Sequence, residues 1–197
     1  MNEDQNGPCI VDVQLLPGGR LVLADVLNVC VQLFDTQGQH VHTLECRSRP
    51  YRLALLDSSS IGHTVAMTLP YCAGIDLLEL VGDSIKVKKT LQTSIQYDAV
   101  AAVYSQTLAV GHGHLDIGID LMDLGGQVLR RICSNVWPYY MDITQDGDLV
   151  CSTDYNTIAR VQVDTGTITF DTSDFLLNPE IFEDNQSVLL SSSELRR

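Results

Sequence analysis

Apolar and polar residues alternate along much of the chain in short runs bounded by turn-forming residues. Val29–Phe34 is the plainest case. Val29, Val31 and Leu33 fall on one side and Cys30, Gln32 and Phe34 on the other, the period-two pattern of a half-buried strand. The first forty-odd residues contain four such runs: IVDVQLL, RLVLAD, VCVQLFD and HVHTLE. PGG separates the first two and TQGQ the last two, residues that supply turns rather than strands. The same fourfold pattern returns three times. It reads YRLALL, TVAMTL, GIDLLEL and IKVKKTL, then DAVAAVY, TLAVGH, IGIDLMD and QVLRRI, then YYMDIT, DLVCST, IARVQVD and TITF. Segments such as DAVAAV and IDLLEL could be helical by propensity, but the repeat decides for strand.

Two markers carry the period. Asp35, Glu79, Asp123 and Asp164 step by 44, 44 and 41 residues, and Gly38, Gly82, Gly126 and Gly166 follow them. Prolines stand independently at Pro8, Pro50, Pro138 and Pro179, with Ser94 in the vacant place. Four strands per unit at a period of about 40–45 residues is the signature of propeller blades. The expected fold is therefore all-β, a β-propeller of four-stranded antiparallel blades. Residues 1–8 form an N-terminal extension, and the blades span 9–49, 50–94, 95–135 and 136–177, with a partial blade at 178–197. In this frame each acidic residue caps the turn between strands three and four, and each glycine takes positive φ there. Each proline opens a first strand, where its missing N–H is tolerated.

Composition narrows the functional classes. The chain has 197 residues, 45% of them hydrophobic, enough for a sizeable core. Six cysteines form no C-x-x-C pair, so they read as reduced core thiols rather than a zinc or redox motif. MNEDQNGP has neither the basic head nor the apolar core of a signal peptide, and no apolar run approaches the ~18 residues of a membrane span. The expected location is cytoplasmic, with no membrane partner. Twelve basic against twenty-five acidic residues give a net charge of −13, which argues against nucleic acid as the partner. KVKK at Lys86–Lys89 reads as a solvated guard on an outer strand.

Propeller geometry sorts the loops. Connectors between blades and loops between strands two and three open on one face; the acidic–glycine turns open on the other. The first face collects Arg47, Arg49, Tyr51, Tyr71, Tyr97, His112, His114, Trp137, Tyr139, Tyr140 and Tyr155, including the single Trp and six of seven Tyr. Aromatic residues with Arg are typical anchors of protein interfaces. The expected partner is a protein or peptide bound there, and each of these residues could alternatively pack a blade junction.

Catalytic signals are sparse. His112, His114 and Asp116 alternate, so an extended segment would point all three the same way, yet zinc needs further ligands and supporting shells. No phosphate-binding glycine loop and no G-x-S-x-G nucleophile turn occurs. No cofactor is expected and the chain reads as non-enzymatic.

PGGRLVLADVLNVCVQLFDTQGQHVHTL resembles an NHL-type propeller repeat, with its glycine turn, strand ending Ala-Asp, Asn, strand ending Phe-Asp and turn glycine. PYYMDITQDGDLVCSTDYNTIARVQVDTGTITF is similar more loosely, and the style resembles the C-terminal propellers of tripartite-motif proteins over residues 8–190. That resemblance implies a target-recognition module of a ubiquitin ligase, six blades in a full ring, and either a protein or an RNA target. These residues contain no RING or B-box spacing of Cys and His. An alternative is a gluconolactonase-like propeller hydrolase with a divalent metal on the axis, for which Asp12, Asp98 and Asp142 are the polar residues of the inner strands. With four and a half blades the chain is expected to be an open arc that self-associates through bare sheet faces.

Overall fold

The computed structural model describes residues 7–59, 62–112, 117–134, 136–153 and 157–171. They form four antiparallel sheets of four strands each, in sequential order. Blade one comprises β1 (Ile10–Leu15), β2 (Leu21–Asp25), β3 (Cys30–Phe34) and β4 (His40–Glu45). Blade two comprises β5 (Leu53–Ser59), β6 (Gly62–Leu69), β7 (Gly74–Val81) and β8 (Ser84–Gln92). Blade three holds β9 (Ala99–Tyr104), β10 (Thr107–His112), β11 (Gly118–Asp123) and β12 (Val128–Cys133). Blade four holds β13 (Pro138–Ile143), β14 (Leu149–Thr153), β15 (Ile158–Val161) and β16 (Ile168–Asp171). The described residues form four blades of the expected propeller architecture; the partial blade expected at 178–197 lies outside the described residues.

Among the described residues, three hydrophobic cores fill three junctions. Val22, Ala24, Val31 and Leu33 of blade one meet Val65, Met67, Leu78 and Leu80 of blade two. Ala66, Ile75 and Leu77 on the other side of blade two meet Val100, Leu108 and Met122 of blade three. Ala109, Ile119 and Leu121 then meet Met141, Leu149, Cys151 and Val161 of blade four. Blades two and three are thus buried on both faces, which is why β6 and β7 read as nearly continuous apolar runs instead of alternating. On the outer face of blade one, Val13 and Leu15 stay half exposed. Buried thiols behave as apolar filling: burial first, then the neighbouring Cys133, pushes Cys151 up to about 12.

The glycine turns hold. Gly38, Gly82, Gly126 and Gly166 all have positive φ, from 54° to 91°. The capping acids divide. Asp35 Oδ1 accepts from the N–H of Gln37 and Gln39 at 2.9 and 2.8 Å. Asp123 Oδ1 repeats this with Gly125 and Gln127 at 2.8 and 2.9 Å. Glu79 does not cap, because β7 runs on through Val81 and a Gly82-Asp83 turn closes the hairpin; Glu79 pairs with Lys86 and Lys88 at 2.8 and 3.6 Å instead. Asp164 does not cap either: Tyr104 donates to its carboxylate at 3.4 Å and Arg130 to its carbonyl at 2.8 Å.

A second device links the blades at this end. Arg20 donates to Gly82 O at 2.6 Å, Lys89 to Leu124 O, and Arg130 to Val163 O at 2.7 Å. Each is a cation of one blade on a carbonyl in the next blade's strand-three-to-four turn. Lys89 is therefore a clasp between blades and not, as the sequence suggests, part of a solvated rim.

Candidate functional site

The connector residues come together as the topology requires. Tyr51 stands on the β4–β5 connector and Tyr71 on the short 3-10 turn Pro70–Cys72 between β6 and β7. Trp137 ends the β12–β13 connector, and Tyr139 sits just inside β13. These four aromatic residues, two at blade two and two at blade four, line one cavity of about 210 Å3. Pro70, Gln96 and Asp98 complete its wall. The Trp137 and Tyr139 rings lie 6.4 Å apart at 34°. Arginines border the group: Arg49 stacks on Tyr71 at 5.6 Å, and Arg52 on Tyr51 at 4.5 Å and Tyr140 at 5.9 Å. Burial raises the Tyr51 and Tyr140 phenols above their ordinary value; for Tyr140 the nearby Asp12 and Asp142 add to it.

Arg52, next to Tyr51 on the same connector, is the polar centre of the inner strands. Its guanidinium donates to Tyr139 O at 2.9 Å and to Val11 O, so one side chain ties blade two to blades one and four. Asp12 faces it. The Asp12 carboxylate is engaged on both oxygens, by Val13 N–H at 2.8 Å and by Leu53 N–H of the next blade at 2.7 Å. Burial still holds its pKa above the ordinary value, against these bonds and the Arg52 charge. Gln14 likewise accepts from Leu55 N–H at 3.2 Å. Asp142 accepts from Ile143 N–H at 2.8 Å, and Asp98 lies in the aromatic cavity. Asp142 lies close enough to Asp12 for its charge to raise the Asp12 pKa, with Arg52 acting on Asp12 in the opposite sense. Among the described residues no three His, Cys, Asp or Glu are placed to hold a metal ion.

Other expected face residues lie elsewhere. Tyr97 and His112 are buried, at 2% and 3% exposure. Their rings meet edge to face at 5.6 Å. Tyr97 donates to Asp120 Oδ2 at 3.1 Å, Arg131 donates to Asp120 Oδ1 at 2.9 Å, and His112 Nε2 lies 3.4 Å from Asp120. A buried carboxylate must be paired, and this network satisfies Asp120 in the interior of blade three. These two residues therefore support the fold rather than face a partner. Arg47 lies over Gly74, 3.4 Å from the buried Asp76, which also accepts from Thr90 at 2.7 Å. Reasoning from sequence does not single out Asp76 and Asp120. Their signal is the recurring Gly-Ile-Asp-Leu at 74–77 and 118–121. His114 and Tyr155 lie outside the described residues.

No protein-family description matches the chain. No curated protein is similar to it in sequence. Solved structures are similar in fold. The hydrazine synthase of Kuenenia stuttgartiensis superposes with a TM-score of 0.65 at 12% identity, over 83% of this chain and 49% of that one. A protein of unknown function from Bacteroides caccae gives 0.65 at 11%, over 85% and 61%. The WD40 β-propeller domain of Doa1 gives 0.61 at 16%, over 82% and 52%. The chain spans about half to three-fifths of the length of these structures. At such identities the likeness establishes the β-propeller fold alone. It also corrects the expectation of a non-enzymatic chain. A hydrazine synthase shares the architecture as well as a WD40 domain, so the fold does not separate the two classes.

Proposed function

We propose that this propeller is a protein-interaction module that binds a peptide segment of a partner on the face built from the inter-blade connectors. One observation carries the reading: Tyr51, Tyr71, Trp137 and Tyr139, distant in sequence, converge on a single cavity with Arg49 and Arg52 at its border. Rigid aromatic rings and Arg side chains that stay partly accessible are what binding hot spots are made of. The NHL-like first blade supports a finer reading, a target-recognition propeller of the tripartite-motif kind, and the −13 charge favours a protein over an RNA target.

The test is quantitative binding to partners isolated on the immobilised chain. Trp137→Ala combined with Arg49→Ala should weaken binding by at least ~2 kcal/mol. Asp123→Asn, in a turn at the other end of the blades, should leave it unchanged. Equal retention of partner by both variants would remove this face from consideration.

A further inference from the structure

We propose that the aromatic cavity is a receptor for a single cationic side chain, a lysine, methylated lysine or arginine presented by the bound segment. The inference rests on the interaction reading above and specifies its ligand.

Three observations converge. The wall is made of four aromatic rings from blades two and four with one carboxylate, Asp98, among them. Ring faces attract cations through their quadrupole, and an arrangement of several rings with a nearby acid discriminates an ammonium or guanidinium from a neutral group of the same shape. The volume, about 210 Å3, falls below the ~300 Å3 at which sites for whole small molecules begin, and suits one side chain. Finally, the molecule already shows how its rings are used. Arg49 and Arg52 place their guanidinium carbons 5.6 and 4.5 Å from the centroids of Tyr71 and Tyr51, within the range of a cation–π contact.

The two arginines do not make the cavity an anion site. Neither lines it. Arg52 is committed to two backbone carbonyls and lies beside Asp12, which takes up part of its field. The carboxylate in the wall and a net charge of −13 both favour a basic guest, locally and at long range.

Trp137 is the only tryptophan, so its emission reports on this cavity directly. The wild-type chain is titrated with the Nα-acetyl methylamides of lysine, Nε-trimethyl-lysine, arginine, norleucine and glutamate. Saturable changes are expected for the three cations, at least ~tenfold tighter than for norleucine, and none for glutamate. Asp98→Asn should weaken the cations at least ~tenfold and leave norleucine alone, with Asp123→Asn, in a turn at the other end of the blades, binding like wild type. The wild-type series decides even if a variant folds poorly. Norleucine binding as well as lysine would mean a merely apolar cavity. Glutamate binding most tightly would mean that Arg49 sets the specificity. The absence of any saturable response would overturn the proposal too. If partner binding depends on Trp137 and Arg49 but excess trimethyl-lysine amide does not compete, this inference fails while the interaction face stands. Cation selectivity without any effect of those residues on partner binding would uphold the cation site and overturn the interaction face.

Discussion

Replacing the turn glycines one at a time by alanine separates backbone strain from packing. Gly38 and Gly166 have nearly the same φ, 74° and 73°. An L side chain there costs about 1–2 kcal/mol at either position. Their surroundings differ. A Cβ on Gly38 would meet nothing within 4 Å, whereas one on Gly166 would sit 1.6 Å from Ile132 O on β12. No rotamer relieves a clash with a carbonyl, so the blade-four turn or β12 must shift by more than about 1 Å in an interior that does not compress. Such a shift strains the clasp in which Arg130 donates to Val163 O and Asp164 O. Gly166→Ala is therefore expected to cost about 3–5 kcal/mol, and Gly38→Ala about 1–2 kcal/mol. Gly126→Val should fall between them, since φ is 91° but the nearest atom to its Cβ, Leu91 Cβ, is an acceptable 3.5 Å away. Urea denaturation followed by circular dichroism measures all three, with shared m-values required for the comparison. Gly166→Ala and Gly38→Ala agreeing within ~0.5 kcal/mol would refute the packing argument. A Gly126→Val chain that melts unchanged yet loses its partner would refute the scaffold role of these turns.

Three further outcomes are expected. Arg130→Met should destabilise by about 1–2 kcal/mol in the same assay, because it leaves two turn carbonyls without their charged donor, while Lys88→Met on the rim should stay within ~0.5 kcal/mol. Carboxyl NMR titration should find Asp12 above and Asp25 below the ordinary 3.8. Burial raises both, but at Asp25 it is outweighed by the Asn28 side chain and the N–H groups of Asn28, Cys9 and Leu27. Asp25 then contributes stability that is present above its unfolded pKa and lost as pH falls through its lowered folded value, and Asp12 a contribution lost as pH rises through its raised one. Asp120→Ala should cost about 2–4 kcal/mol by thermal melting, since it removes the shared acceptor of Tyr97 and Arg131 inside blade three, and a loss under ~0.5 kcal/mol would contradict that role.

The period of the chain determined the blades without help from the structure. A glycine at 38, 82, 126 and 166 is a local backbone requirement, and local requirements are written in the residue itself. The alternation of Val29–Phe34 likewise announced a sheet with one face more deeply buried than the other, and blade one is that sheet. The convergence of connector aromatics followed from the same topology, because loops of equivalent rank must open at one end. What the repeat could not carry is the difference between equivalent positions. Glu79 and Asp123 share a place in the period, yet one lies in a strand and the other caps a turn, because the length of β7 is settled by its pairing with β8. Tyr97 and Tyr139 follow similar connectors, yet Tyr97 is buried against Asp120 and Tyr139 opens onto the cavity. The charges of Asp76, Asp120 and Arg52 are hidden for the same reason. A buried charge is tolerated only where distant residues supply its partners, and those partners, Arg47, Arg131 and the carbonyls of Val11 and Tyr139, are brought close only by the packing of blade on blade and strand on strand.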